Sequence, residues 1–320
     1  MAFILFTDIM SSERLFHQRH PVLIGLFFMV VLTVLFFGGI TFFASTLLQN
    51  KTNYLLGVSN SIGVIDIKGV ITDAETVLAD LESFRKEDGI KAVVVRIDSP
   101  GGAVGASQEL FMAIRRLSRE KPVVASMGSV AASGGFYAAL GARKIVAAPG
   151  TLTGSMGVII KFANLEQIFD KIGYQSQVVK SGQYKDMGSP DRSLTEAELT
   201  LLQELINSVH DQFVGDIAES RALSVAEVKK VADGRIFSGE QALQYGLIDE
   251  LGNFHDAVRL AAQLAKMSQE LPNLVYPPRE KSGLLGMLLG KAPQQLWEGL
   301  ALGTPILSYE WDGRASLAGH

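Results

Sequence analysis

The 320-residue chain contains no cysteine, which excludes disulfides and thiolate metal sites. Histidine is scarce, five residues in all. No H-E-x-x-H pairing occurs, so zinc-hydrolase chemistry has no ligand set and no metal is implied. Basic charge is neither in excess nor gathered: 29 Lys and Arg stand against 33 Asp and Glu, for a net charge of −4. A nucleic-acid surface needs Lys and Arg clustered along a phosphate track, and that class is set aside. Charge of either sign is missing altogether between Pro21 and Asn50.

That uncharged run is the first positive signal. Val22 to Phe43 is almost wholly Leu, Val, Phe, Ile, Met and Gly, and a bilayer core takes about 20 such residues in a helix. A cleaved signal peptide has a shorter apolar core and a small-x-small site, of which Ala44-Ser45-Thr46 is a poor version. The run therefore reads as an uncleaved transmembrane anchor over residues 21–48, behind a tail of residues 1–20. Arg14 and Arg19 precede it and Lys51 follows it. The positive-inside rule leans only weakly towards an external position for what comes after.

Residues 49–61 are small and polar and read as a linker. Ile62–Gly69 alternates as a strand does. Thr72 and Glu75 form a capping-box pattern, opening a helix with Val77, Leu78, Leu81 and Phe84 on one face. Lys91–Asp98 has the continuous apolar run of a buried parallel strand. Ala106–Arg119 reads as a helix with Leu110, Phe111, Ile114 and Leu117 inward, and strands follow at Pro122–Met127 and Lys144–Ala148. This strand–helix alternation predicts a layered α/β domain. A further strand is expected at Gln175–Lys180, then a Gly/Ser/Pro/Asp loop over Ser181–Ser193. Capping boxes at Thr195/Glu198 and Ser224/Glu227 open two helices, the first running to about Arg221, and Asn253–Met267 forms a last one. Beyond Glu270 the pattern loosens to an apolar patch at Leu284–Leu289 and an edge strand within Ile306–Trp311.

Three segments can carry chemistry. Asp98-Ser99-Pro100-Gly101-Gly102 closes a buried strand, and its Pro and two Gly permit a turn that aims consecutive N–H groups at one point. It is equally an ordinary strand-to-helix turn. Gly128–Tyr137 (GSVAASGGFY) crowds small residues round Ser133, with Gly134 and Gly135 leaving room for a peptide backbone. A tightly packed helix start explains the same composition, and Ser126 and Ser129 are rival hydroxyls. The third segment, Ser181–Asp186 (SGQYKD), places Lys185 in a loop, where a lysine is normally just solvated.

A nucleophilic serine needs a base, and the histidines supply it poorly. His17 and His20 precede the anchor, His320 is the final residue, and His210 and His255 lie within predicted helices. A lysine can serve instead where burial keeps its amine neutral.

At these residues the chain resembles bacterial signal peptide peptidase A, in the short single-copy form with one N-terminal anchor. The similarity runs over about Ile62–Met267 and rests on DSPGG, SVAASGGFY, TGSMG and SGQYKD occurring in that order. The resemblance implies a Clp-protease/crotonase-like spiral of β-β-α units as a peptidase domain over residues 62–269, with residues 270–320 an extension of no assigned role. It implies a serine endopeptidase needing no cofactor, with Ser133 as nucleophile, Lys185 as general base and Ser155 orienting the lysine. Main-chain N–H groups of Gly101 or Gly102 and of Gly134 would form the oxyanion hole. Apolar peptides such as signal-peptide remnants would be the substrates. The chain would form a homo-oligomer in which the dyad is open to completion across subunits, on the outer side of the bacterial cytoplasmic membrane. Asp98 and Phe136 depart from the residues frequent in relatives, which bears on substrate pockets. Two other classes share such a fold: acyl-CoA enzymes, and a non-catalytic membrane-tethered scaffold.

Overall fold

The computed structural model describes residues 21–56, 59–268, 272–278 and 308–310. The chain divides into two units, Met1–Gly57 and Val58–His320. In the first, Pro21–Leu56 form one helix of 36 residues, α1, which continues into the stretch read as a linker. The longest run of α1 with described side chains is residues 26–42, nearly all exposed and apolar. Among the described residues no helix is long and apolar enough to cross a membrane, so the anchor is not established by the fold.

The second unit is built on a mixed sheet of eight strands among the described residues. Strands β1 (Ser61–Lys68), β2 (Ile90–Ser99) and β4 (Val123–Ala132) lie parallel at its centre. Beyond β4 come β6 (Leu152–Gly154), parallel to it, and β7 (Ile236–Ser238), antiparallel to β6. The short strands β5 (Lys144–Ala147) and β8 (Glu250–Leu251) pair beside β4, and β9 (Leu274–Val275) adds to the far edge of β1. The sheet thus takes in residues beyond the expected domain end at 269. The apolar patch at Leu284–Leu289 lies outside the described residues.

Period-two alternation sends the two faces of these strands into different helices. Ile62, Ala92, Val94 and Val124 pack on Ala257, Val258, Ala261 and Ala262 of α9 (Phe254–Leu264). Gly63 faces the other way, close against the Phe84 ring of α2 (Glu75–Lys86). On α3 (Val104–Glu120), Leu110, Phe111, Ile114 and Leu117 are buried, as their spacing predicts. Parallel strands covered on both sides account for the nearly unbroken apolar run of β2.

The capping boxes at Thr195/Glu198 and Ser224/Glu227 form as predicted, opening α6 (Glu196–Arg221) and α7 (Val225–Lys229). The one at Thr72/Glu75 does not: α2 starts after Ala74 and has no side-chain cap. Ile71 instead exchanges backbone hydrogen bonds with Gly101 and Ala103 (2.8 and 2.7 Å), and the Thr72 hydroxyl turns to Asp73. The strand expected at Gln175–Lys180 is also absent. That stretch follows the short helix α5 (Glu166–Ile172) as irregular chain with Val178 and Val179 exposed. Strand geometry needs a partner edge to hold it, and none is paired with this segment among the described residues.

Candidate active site

The site forms where three buried strands end. At the end of β4, Ser133 takes φ 55° and ψ −117°, a left-handed backbone that few side chains tolerate, and the helix α4 (Gly134–Ala139) begins at the next residue. Strain of this kind costs about 1–3 kcal/mol and persists only where surrounding contacts impose it. Here the Ser133 N–H donates to the Gly154 carbonyl (2.7 Å) and its own carbonyl accepts from the Tyr137 N–H (2.8 Å). Ser133 is 1% exposed.

β6 runs beside β4 with Ala132 opposite Gly154, so Ser155 arrives beside the candidate nucleophile. It too is left-handed (φ 52°), and its N–H is held by the Arg235 carbonyl at 2.8 Å. Gly154 has φ 81°, and a Cβ there would lie 2.5 Å from the Phe237 ring. The Gly of T-G-S-M-G is therefore required by both conformation and space.

The DSPGG turn supplies the third wall. Gly101 has φ 102°, and its N–H is committed to the Ser99 hydroxyl at 3.1 Å. Gly102 packs so closely on Ile71 that an added Cβ would stand 2.0 Å from the Ile71 carbonyl oxygen. A Cβ on Gly134 would lie 3.2 Å from the Gly102 nitrogen and 2.3 Å from the Ser107 hydroxyl. The backbones of Gly102 and Gly134 are thus adjacent, and only residues without side chains fit. Asp98 accepts from the Val130 N–H at 3.1 Å where the β2–β4 register shifts, so it shapes this turn. Phe136 is wholly buried in the core beside Phe213. Ser99 and Ser107 are contributors that sequence patterns did not single out, because each acts through a fold-dependent backbone contact.

Of the rival hydroxyls, Ser126 is buried and accepts from the Arg96 guanidinium at 2.8 Å, while Ser129 is exposed. Among the described residues His210 and His255 make no side-chain hydrogen bond to Ser133. Lys185 lies in a turn-rich segment, its N–H bonded to the Gly182 carbonyl at 3.2 Å. Its side chain is exposed, and no hydrogen bond joins it to Ser133 among the described residues. A single copy therefore does not bring the two together by hydrogen bonding. The adjacent Asp186 turns to Lys180 and Arg192, whose hydrogen bonds lower its carboxyl from 3.8 to about 2. Arg192 also grips the buried Glu198, whose carboxyl falls from 4.5 to about 2, chiefly through that bond. This chain of ion pairs ties the Lys185 loop to the start of α6. Among the described residues no group of His, Cys, Asp and Glu is arranged to hold a metal.

Comparison with known proteins matches residues 115–268 to peptidase family S49 and residues 58–153 to the Clp protease family. The chain is 46% identical over 211 residues to a putative protease of Synechocystis sp., covering 65% of this chain and 76% of that protein. It is 38% identical over 216 residues to a putative protease of Methanocaldococcus jannaschii, covering 67% and 69%. A putative signal peptide peptidase SppA of Enterococcus faecium is 31% identical over 259 residues, covering 76% and 74%. Among solved structures, a ClpP1 mutant from Listeria monocytogenes superposes with a TM-score of 0.41 at 20% identity, over 61% of this chain and 93% of that one. The fold is of the Clp-protease-like α/β type. With relatives matched over more than two thirds of their own length, the chain belongs to the signal peptide peptidase A family and is a serine protease of family S49.

Proposed function

We propose that the protein is a membrane-anchored endopeptidase that cleaves apolar peptides, such as signal-peptide remnants, with Ser133 as nucleophile and Lys185 as general base. The observation that carries the serine assignment is its strained backbone at the end of β4, beside Gly134 and Ser155. Lys185 belongs to the S-G-x-Y-K-D segment and is the base to which the family resemblance points. Its exposure, with no bond to Ser133, supports completion of the dyad by a neighbouring copy in a homo-oligomer.

In this reading the neutral amine takes the proton of the Ser133 hydroxyl as Oγ attacks the peptide carbonyl. Ser155 orients the amine. Because the Gly101 N–H is already given to Ser99, Gly102 and Gly134 are the donors to the oxyanion. Each such donor is worth about 2.7–4 kcal/mol of barrier. The ammonium then protonates the departing nitrogen as the C–N bond breaks, and water, deprotonated by the same amine, releases the acyl group. The uncharged run from Pro21 to Asn50 supports anchoring at the cytoplasmic membrane with the protease unit outside.

A fluorophosphonate probe tests the reading. Covalent labelling of Ser133 is expected in the wild-type chain and not in Ser133→Ala. Peptide cleavage without labelling at Ser133 would refute the assignment. An acyl-CoA enzyme or a non-catalytic scaffold would show neither labelling nor cleavage.

A further inference from the structure

The chain places one of its own segments at the proposed oxyanion donors. Ser308–Glu310 form β10, antiparallel to β3 (Gly101–Ala103), with Tyr309 opposite Gly102 and Glu310 opposite Gly101. On its other edge Ser308 exchanges two backbone hydrogen bonds with Ile159, at 3.0 and 3.1 Å. A three-residue strand held on both edges is how an extended peptide adds to a sheet: main-chain bonds hold it, and alternate side chains enter pockets.

Successive residues of an antiparallel strand turn their N–H and C=O groups to opposite sides. Since Ser308 faces Ile159, Tyr309 faces β3. Its carbonyl oxygen is accordingly close to the DSPGG turn: a Cβ on Gly101 would lie 2.1 Å from that oxygen and 2.7 Å from the Gly134 nitrogen. The oxygen thus lies beside the turn, near the nitrogen of the residue that follows Ser133.

The Tyr309 side chain is wholly buried. Its ring centroid lies 4.8 Å from that of Phe213 and 5.3 Å from that of Tyr137. Its hydroxyl donates to the Val209 carbonyl at 3.4 Å, and Asp216, hydrogen-bonded to the Tyr137 hydroxyl, lies close by. Burial, reinforced by the Asp216 charge, pushes the Tyr309 phenol up, so it stays a donor. The pocket is aromatic along its sides and accepts a hydrogen bond at its far end. Val209, Phe213 and Asp216 all come from one side of α6, while Tyr137 comes from α4, four residues after Ser133.

We infer that the pocket lined by Tyr137, Phe213, Asp216 and the Val209 carbonyl selects the residue on the acyl side of the cleaved bond. It takes an aromatic side chain, tyrosine above phenylalanine, and β10 is the chain's own occupant of the cleft. This rests on the assignment of Ser133 as nucleophile and adds to it a substrate class, peptides with an aromatic residue before the scissile bond.

The test uses the full-length oligomer and internally quenched peptides that differ only at that residue, with cleavage positions read by mass spectrometry. Two aromatic contacts predict kcat/KM about 10- to 100-fold higher for Tyr than for Ala, and the hydroxyl contact a further preference of about 5-fold over Phe. Phe213→Ala should erase most of the Tyr-over-Ala ratio while fluorophosphonate still labels Ser133. Phe213→Trp, which fills the pocket without leaving a cavity, should depress cleavage of the Tyr peptide more than that of the Ala peptide. Tyr309→Ala should lower KM for the Tyr peptide several-fold by removing the competitor. Labelling of Ser133 with equal cleavage of Tyr and Ala peptides overturns the pocket and leaves the nucleophile standing. An unchanged KM in Tyr309→Ala overturns β10 as occupant, and failure to label Ser133 removes the reading on which the inference rests.

Discussion

Ser133 and Ser155 stand at the ends of neighbouring parallel strands, both in left-handed backbone (φ 55° and 52°), and the Ser133 N–H is bonded to the residue just before Ser155. Two strained residues held side by side give the site its shape without any side-chain bond between them. Left-handed backbone costs a residue with a Cβ about 1–2 kcal/mol relative to glycine. Ser155→Gly should therefore raise stability by up to about 1 kcal/mol in urea unfolding while lowering kcat about 10-fold or more. A variant that keeps full kcat would remove Ser155 from the mechanism.

The separation of Lys185 from Ser133 within one copy yields a complementation experiment. Ser133→Ala and Lys185→Ala should each abolish peptidase activity, and the double variant should lose no more, since the pair acts as a unit. Mixing the two inactive single variants under conditions that exchange subunits should restore activity, because some interfaces then pair an intact serine with an intact lysine. Activity that stays at background after verified exchange would place the dyad within one copy.

The ion pairs that hold the Lys185 loop predict how it responds to acid. Asp186 and Glu198 titrate near 2 in the folded protein, below their ordinary 3.8 and 4.5. A depressed carboxyl stabilises the fold fully above its unfolded value and loses that contribution as pH falls through the folded one. Amide exchange in residues 181–193 should therefore accelerate between about pH 4.5 and 2, ahead of β2 and β4. Arg192→Leu should produce the same loosening at pH 7, where the wild-type loop is still protected. Protection of the loop that is unaffected in that variant would remove the network as its tether.

Membrane attachment is tested directly on the whole chain. Carbonate extraction should leave it in the membrane pellet, and a chain starting near Gln49 should appear in the supernatant. Recovery of the full-length protein in the carbonate supernatant would count against the anchor. Protease accessibility in spheroplasts then reports the side on which the second unit lies.

Much of the fold was legible because its signals are local. The apolar run of β2, the inward face of α3 and the capping boxes of α6 and α7 depend on residues within a few positions of one another, and all four appear where their spacing places them. The box at Thr72/Glu75 failed for a nonlocal reason, since Ile71 is drawn into backbone pairing with Gly101 and Ala103. Val178 and Val179 have strand propensity but no paired edge, and propensity without a ladder leaves them exposed. Ser133, Ser155 and the glycines were marked by motif. Which glycine N–H is available rests on Ser99 occupying that of Gly101, a contact between residues two apart that only the bent turn creates. The sequence by itself determined the strands, the helices and the small residues that leave Ser133 approachable, because those follow from period and side-chain size. Tertiary structure alone brought Tyr309 to Gly102 across some 200 positions and left Lys185 exposed and unbonded to Ser133, because pairing between distant segments depends on which edges the folded sheet leaves open.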